Sequence, residues 1–324
     1  MTAYPGGVKV VVVGGSGFIG TRLVSELLER GHDVLNVDLA ASSVHAERTV
    51  IGDVRDTADL AGHLEGADVV INLAAEHRDD VRPVERYHSV NVGGAESLVA
   101  AADKAGVKRI VFTSTVAVYG LGRPNPDETA PLQPFNDYGI TKKGAEEVLR
   151  AWAELGDGRS VLVLRPCVVF GEGNRGNVWT LASQIGSGRF VMVGNGQNRK
   201  SMAYVGNVVA FVAGQLTGEP GVRTLNYADK PDLPAKELVA IIKQRLGKPA
   251  TRFSLPRPLG MVIGKGFDGV ARVTGKSLPI SAIRVEKFCA ETTVDASALE
   301  ATGFQRPFSL LEGVHRTLDA EFPS

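Results

Sequence analysis

The chain has 324 residues, 36 basic against 36 acidic side chains, and 44% hydrophobic residues. That size allows one large domain or two unequal ones, and the zero net charge gives no reason to expect a nucleic-acid partner. No apolar run approaches the roughly 18 residues a membrane span needs, and the few residues before the first strand are too short for a signal peptide. The two cysteines, Cys167 and Cys289, make no disulfide framework and fit a reducing cytoplasm.

Val10-Val11-Val12-Val13 reads as a strand buried on both faces. It runs into Gly14-Gly15-Ser16-Gly17-Phe18-Ile19-Gly20, after which Leu23, Leu27 and Leu28 show helical spacing. A glycine-rich turn between a strand and a helix is the context of a dinucleotide site. Gly14 permits the tight turn, Gly17 lets backbone approach a pyrophosphate, and Gly20 lets the helix pack close. The N–H groups of the first turn, from Ser16 to Gly20, then face the phosphates at the positive helix end.

Asp33–Asp38 is the second predicted strand, with Asp38 at its end, 24 residues after Gly14. An acid there accepts the hydrogen bonds of the adenosine ribose. It repels a 2′-phosphate, and Ala40-Ala41-Ser42-Ser43 offers no arginine to bind one, so NAD is expected rather than NADP. A short strand at Thr49–Ile51 leads to Asp53-Val54; Asp53 either caps the helix near 58–64 or faces the adenine edge. Asp68–Leu73 is a further strand, followed by the small Ala74-Ala75. A long helix is expected over 84–105, containing Asn91, then a strand at Arg109–Thr113. Strands alternating with helices predict an α/β fold, a doubly wound parallel sheet with right-handed crossovers.

Residues 121–137 are rich in Pro, Asn and Asp and read as a loop, before a helix from Tyr138 to Leu155 and a strand at Ser160–Leu164. From about residue 166 the alternation breaks down. The expected division is a cofactor domain over 1–166 and a smaller substrate lobe over 167–324, with part of 200–228 packing back on the first.

Tyr138 and Lys142 stand four apart at a helix start and therefore share a face. An ammonium beside a phenol favours the phenolate. Bringing a tyrosine from about 10 towards neutrality is worth roughly 4 kcal/mol, and makes it a base near operating pH. Ser114-Thr115 supplies hydroxyls at the carboxyl edge of the fifth strand, where doubly wound sheets bind ligands. The cysteines lack metal-ligand spacing, so no metal is expected. His77, Arg78 and Asp79 read as charged loop residues near the mouth of a site.

Taken in order, Gly14-x-x-Gly17-x-x-Gly20, Asp38, Asp53-Val54, Leu73-Ala74-Ala75, Asn91, Ser114-Thr115, Tyr138-x-x-x-Lys142 and Arg165-Pro166 resemble the extended short-chain dehydrogenase/reductases of the nucleotide-sugar epimerase/dehydratase type over nearly the whole length. The resemblance implies that Tyr138 transfers a proton, Lys142 holds the nicotinamide ribose, Thr115 hydrogen-bonds the reacting sugar oxygen, and Pro166 lines the cofactor. Several loops, among them Ala74–Asp80, Asn174–Val178 and Ile283–Cys289, resemble the branch that epimerises N-acetylglucosamine on an undecaprenyl diphosphate. The activity implied is a 4-epimerase of a diphosphate-linked N-acetylhexosamine working through a transient 4-keto sugar.

In the dehydratases of that family Asp-Glu follows the Thr; here Val116-Ala117 stand there, with no acid to eliminate water. Cys167 stands where the family usually has Asn, and Asn207 where it has Asp. The family's diphosphate-binding Arg falls at Lys200 with Arg199 beside it, and either can meet the diphosphate. Asn177 and Arg284 are the further substrate candidates. A 4-ketoreductase of a deoxy-sugar nucleotide shares these residues, and a non-catalytic NAD-binding module shares the fold. The resemblance also implies a homodimer through the helices at 84–105 and 138–155. Residues 248–287 interleave basic and apolar side chains, a pattern that can rest on an anionic lipid surface.

Overall fold

The computed structural model describes residues 7–78, 81–250, 253–274 and 282–323, with side chains described for all of these except 267–274, 282–284 and 287. The first half alternates as expected: β1 (Lys9–Val13), α1 (Phe18–Glu29), β2 (Asp33–Asp38), β3 (Thr49–Ile51), α2 (Thr57–His63) and β4 (Val69–Asn72). The helix expected over 84–105 is interrupted. A short α3 (Glu85–Tyr87) passes through a π-helical turn at His88–Val92 into α4 (Gly93–Ala105). Next come β5 (Arg109–Thr113), α5 (Asp137–Glu154) and β6 (Ser160–Pro166).

These strands form one parallel sheet, in the order β3-β2-β1-β4-β5-β6. The order reverses between β1 and β4, and the crevice beyond their carboxyl ends is where such sheets take ligands. The valine run shows why the sheet is two-sided. Val10 and Val12 enter one hydrophobic cluster, while Val11 and Val13 enter the other. A strand with both faces covered has no polar face to show, so its alternation is hidden in the sequence.

The second half begins with β7 (Val168–Phe170), α6 (Asn177–Gly186), β8 (Met192–Val193) and β9 (Arg199–Tyr204). Then α7 (Val205–Val212) and β10 (Gly221–Tyr227) return to the large sheet. β10 pairs with β6 from Gly221 opposite Ser160 to Tyr227 opposite Pro166, and becomes the seventh strand. The remaining elements are β11 (Asp229–Pro234), α8 (Ala235–Arg245), β12 (Ser254–Leu255), α9 (Arg257–Thr274), α10 (Ala282–Cys289), α11 (Ser297–Glu300) and α12 (Leu310–Glu321). β11, β9 and β7 form a small second sheet, and β12 pairs with β8.

Candidate active site

The turn after β1 is built by contacts that leave one side open. Gly14 has φ +85°, and a Cβ there would lie 2.6 Å from Ala74 N, so the Leu73-Ala74 backbone packs on it directly. A Cβ on Gly20 would lie 2.5 Å from Gly15 Cα, so α1 also needs glycine to approach the turn. Gly17 faces the other way: a Cβ there would meet only Gly14 O at 3.6 Å. No side chain caps α1, so the N–H groups of its first turn, Phe18 and Ile19 among them, are left for an anion. These residues fit a dinucleotide pyrophosphate.

Two side chains of β2 hold this turn. Asp38 accepts from Ser16 N at 2.9 Å and from Ala40 N at 3.1 Å. Asn36, fully buried, accepts from Gly15 N at 2.8 Å and donates to Ser16 Oγ and Thr49 Oγ1. Asn36 carried no signal in the sequence, because a polar residue within a strand gives no hint of which loop it meets.

Of the two alternatives at Asp53, the cap is not taken up. Asp56 caps α2, accepting from Ala58 N and Asp59 N at 3.0 Å each. Asp53 instead pairs with Arg55, whose hydrogen bond holds its carboxyl below the usual carboxylate range. Val54 packs under α4, where Gly94 makes room for it. Asn91 lies in the π-helical turn and has its amide fully engaged. It accepts from Glu76 N and donates to Glu76 O and Thr141 Oγ1. Asn91 therefore fixes the loop after Ala74-Ala75 against α5, rather than presenting a donor of its own.

At the carboxyl end of β5 the two adjacent hydroxyls point opposite ways. Thr115 begins the short 3₁₀ turn Val116–Tyr119, accepts from Ala117 N at 3.1 Å, and stands beside the Tyr138 hydroxyl. The Tyr138 ring is half-exposed, but its hydroxyl end is buried against Thr115. Burial raises this phenol above its ordinary value, and the Thr115 hydrogen bond opposes the rise. Lys142 is buried one turn further along α5. Its ammonium donates to Thr113 O at 2.7 Å and lies 4.5 Å above the Phe112 ring. Burial brings its pKa down to about 7, against the pull of Glu146. The expectation that Lys142 itself lowers the phenol is thus not met in this geometry: the ammonium is turned to Thr113 O.

Ser114 turns inward. Its hydroxyl donates to Glu146 Oε1 at 2.6 Å, so this substrate candidate has a buried partner and no exposed face. Glu146 also takes both ends of Arg165, at 2.9 and 2.6 Å. Arg165 donates on to Tyr119 Oη, which donates to Asn226 Oδ1 at 2.7 Å. Asn226 N in turn donates to Glu128 Oε1. One buried chain of hydrogen bonds thus ties α5, β5, β6 and β10 to the loop before Tyr138. Glu146→Gln is expected to cost about 3–5 kcal/mol in urea denaturation, because it leaves the Arg165 charge buried without an anion. Replacing both partners, Glu146→Leu with Arg165→Met, should recover most of that loss.

Residues 10–220 match the family described as NAD dependent epimerase/dehydratase. The chain belongs to that family. An N-acetyl-α-D-glucosaminyl-diphospho-ditrans,octacis-undecaprenol 4-epimerase of Escherichia coli O157:H7 is 49% identical over 97% of this chain and 95% of its own. Among solved structures, MoeE5 in complex with UDP-glucose and NAD is 27% identical, with a TM-score of 0.73 over 96% of this chain and 98% of its own. A UDP-N-acetylglucosamine 4-epimerase of Methanobrevibacter ruminantium M1, 22% identical, shares the fold at a TM-score of 0.76 over 97% and 98% of the two chains.

As an epimerase/dehydratase family member, the chain sets its two candidate cations apart. They neighbour each other on β9, so they face opposite sides. Arg199 is exposed and donates to Asp232 O at 2.7 Å. Lys200 turns inward and donates to Ala290 O at 3.0 Å, and burial lowers its pKa. It lies two residues before Met202, which pairs with Val168 just past the end of β6. Asn177 is exposed as the first residue of α6. Arg284 falls on α10, but its side chain lies outside the described residues, as do Asp79 and Asp80 entirely.

The family's Asp position, filled by Asn207, is compensated nearby. Asp229 is fully buried and accepts from Tyr204 N, Asn207 Nδ2 and Arg306 Nε. Asn207 also clasps Phe308 through both its N and O. These contacts pin the C-terminal segment to the small sheet. Cys167 lies buried beside this group, and burial pushes its thiol well up, which makes it a packing residue. Among the described residues no group of three His, Cys, Asp or Glu side chains is placed to hold a metal.

Proposed function

We propose that this protein is an NAD-dependent 4-epimerase of N-acetylglucosamine carried on a polyprenyl diphosphate, giving the N-acetylgalactosamine epimer. The Tyr138–Thr115 contact at the carboxyl end of β5, beside an open glycine turn, carries this reading. Asp38 and the turn residues bind the dinucleotide, and Lys142 reaches the nicotinamide ribose. NAD+ bound there supplies the hydride acceptor and donor for C4 and a fixed positive charge beside the phenol.

Tyr138 takes the proton of the C4 hydroxyl while Thr115 holds that oxygen in place. The 4-keto sugar turns about its diphosphate linkage, which Lys200 and Asn177 anchor. Tyr138 then returns the proton to O4 once the hydride has come back on the opposite face. Val116 and Ala117 offer no carboxyl to eliminate water. The 49% identical relative supports the polyprenyl carrier over a nucleotide.

Incubating the enzyme with undecaprenyl-diphospho-GlcNAc and, separately, with UDP-GlcNAc tests the reading. The GalNAc epimer is expected from the first. NADH oxidised in proportion to product would instead indicate a ketoreductase.

Contact with the bilayer follows from such a substrate. No helix among the described residues is long and apolar enough to cross a membrane. Within residues 248–265, however, Phe253, Leu259 and Val262 are 68%, 48% and 66% exposed. Lys248, Arg257 and Lys265 of the same stretch are exposed too. Anionic vesicles should co-sediment the protein at low salt and release it at high salt; no binding at low salt would contradict this. Arg252, Lys276 and the Arg272 and Lys287 side chains of the same stretch lie outside the described residues. A homodimer through α4 and α5 completes the proposed organisation, and light scattering at the mass of two chains would support it.

A further inference from the structure

We infer that two adjoining hollows at the outer end of the C-terminal lobe seat the first isoprene units of the carrier lipid. This rests on the polyprenyl reading above.

The inner hollow, about 460 Å3, has Val193, Gly194, Pro256, Arg257 and Cys289 in its wall. It starts next to the diphosphate cation. Lys200 donates to Ala290 O, and the neighbouring Cys289 thiol contacts Val193 O at 3.6 Å. The outer hollow, about 770 Å3, is bounded by Met192, Ala240, Lys243, Lys248 and Phe253. The two share Asn195 and Ser254 in their walls, so they adjoin. The exposed Phe253 ring lines the outer one.

A cation stands beside one end of this pair of hollows, and both walls mix apolar and polar side chains. Lys200 stands at the charged end. Beyond it Val193, Pro256, Met192, Ala240 and Phe253 offer apolar surface, while Lys236, Glu237 and Gln244 also line the outer hollow. The amides are poorly placed to read a nucleobase. Asn198 donates to both Phe288 O and Ala290 O, and Asn195 Oδ1 accepts from Gln197 N. Lysines 243 and 248 stand at the mouth, where the phosphates of a bilayer would lie. Gly260 lets α9 pack directly on Val193 in the wall of the inner hollow, where a Cβ would come within 2.6 Å of Val193 Cγ1.

The test is calorimetry on the NAD-loaded enzyme with farnesyl diphosphate and inorganic diphosphate as probes. The wild type should bind farnesyl diphosphate at least about tenfold more tightly, the ratio expected from burying only two methylenes. Phe253→Asp and Ala240→Trp both alter exposed positions, so neither disturbs the core. Each should remove that advantage and leave inorganic diphosphate binding unchanged.

Equal binding of the two probes by the wild type would overturn the assignment, and so would an unchanged preference in both variants. Dihexanoyl phosphatidylglycerol should not displace farnesyl diphosphate; displacement would give the hollows to membrane phospholipid instead. These readouts need no turnover. A failure of the epimerase reading would show separately, as no GalNAc from the lipid-linked substrate.

Discussion

Tyr138→Phe is expected to lower kcat by about 10³-fold, within the range that a positioned acid–base group contributes. The substitution removes one hydroxyl, which lies beside Thr115. The ring stays in its place on α5, so KM and cofactor binding should change little. That division identifies an interaction made in the transition state rather than in the ground state. Thr115→Val, which removes the partner and keeps the shape, should show a smaller loss of the same kind. A Tyr138→Phe enzyme with unchanged kcat would exclude the phenol from proton transfer.

Lys142→Met should produce two effects of opposite sign. Activity should fall at least about 100-fold, because the group proposed to orient the nicotinamide ribose is gone. Stability should rise at neutral pH. The folded-state pKa of Lys142 is about 7 because of burial, against about 10.4 for a free lysine. Below pH 7 the lysine is charged in both states, and the fold bears its full desolvation. Between those values unfolding takes up a proton, so wild-type stability rises with pH; above the upper value the penalty vanishes.

The Met variant lacks this penalty. At about 1.4 kcal/mol per pKa unit, its advantage at pH 7 is at most about 5 kcal/mol. It is reduced by the lost bond to Thr113 O and should shrink towards pH 10. Thermal melts of the two proteins from pH 6 to 10 check the trend. A variant less stable than wild type throughout would mean that the ammonium stabilises the fold.

The strands of the cofactor half were readable because burial on both faces leaves an unbroken valine or isoleucine run, as at Val10–Val13 and Val69–Ile71. The glycine turn was readable because sterics at Gly14 and Gly20 exclude every other residue. A helix places Tyr138 and Lys142 on one face, but the spacing could not tell that the Lys142 ammonium turns to Thr113 O.

What stayed hidden depends on partners distant in the chain. Glu146, Arg165, Tyr119 and Asn226 form one network, and the Tyr119–Asn226 bond spans 107 residues. Nothing local marks them as a set. Ser114 and Thr115 are chemically alike, and only the end of the β5 register decides which one faces the site. The same holds for Arg199 and Lys200 on β9. Asp53 reads as a cap candidate in sequence, but α2 starts at Thr57, which gives the cap to Asp56. Nothing local announced the π-helical turn at His88–Val92, in which Asn91 reaches Glu76 and Thr141 together. β10 was missed as a strand because Gly221–Tyr227 alternates little and sits at the sheet edge.

The most direct test follows one hydrogen atom. Undecaprenyl-diphospho-GlcNAc carrying deuterium at C4 is converted by the purified enzyme in ordinary water, and the GalNAc product is examined by mass spectrometry and NMR. Hydride removal and return within one active site retains the label at C4 with no net change in NAD. Loss of the label to solvent, or product formed only as NADH is consumed, would contradict an epimerase built on Tyr138, Thr115 and Lys142.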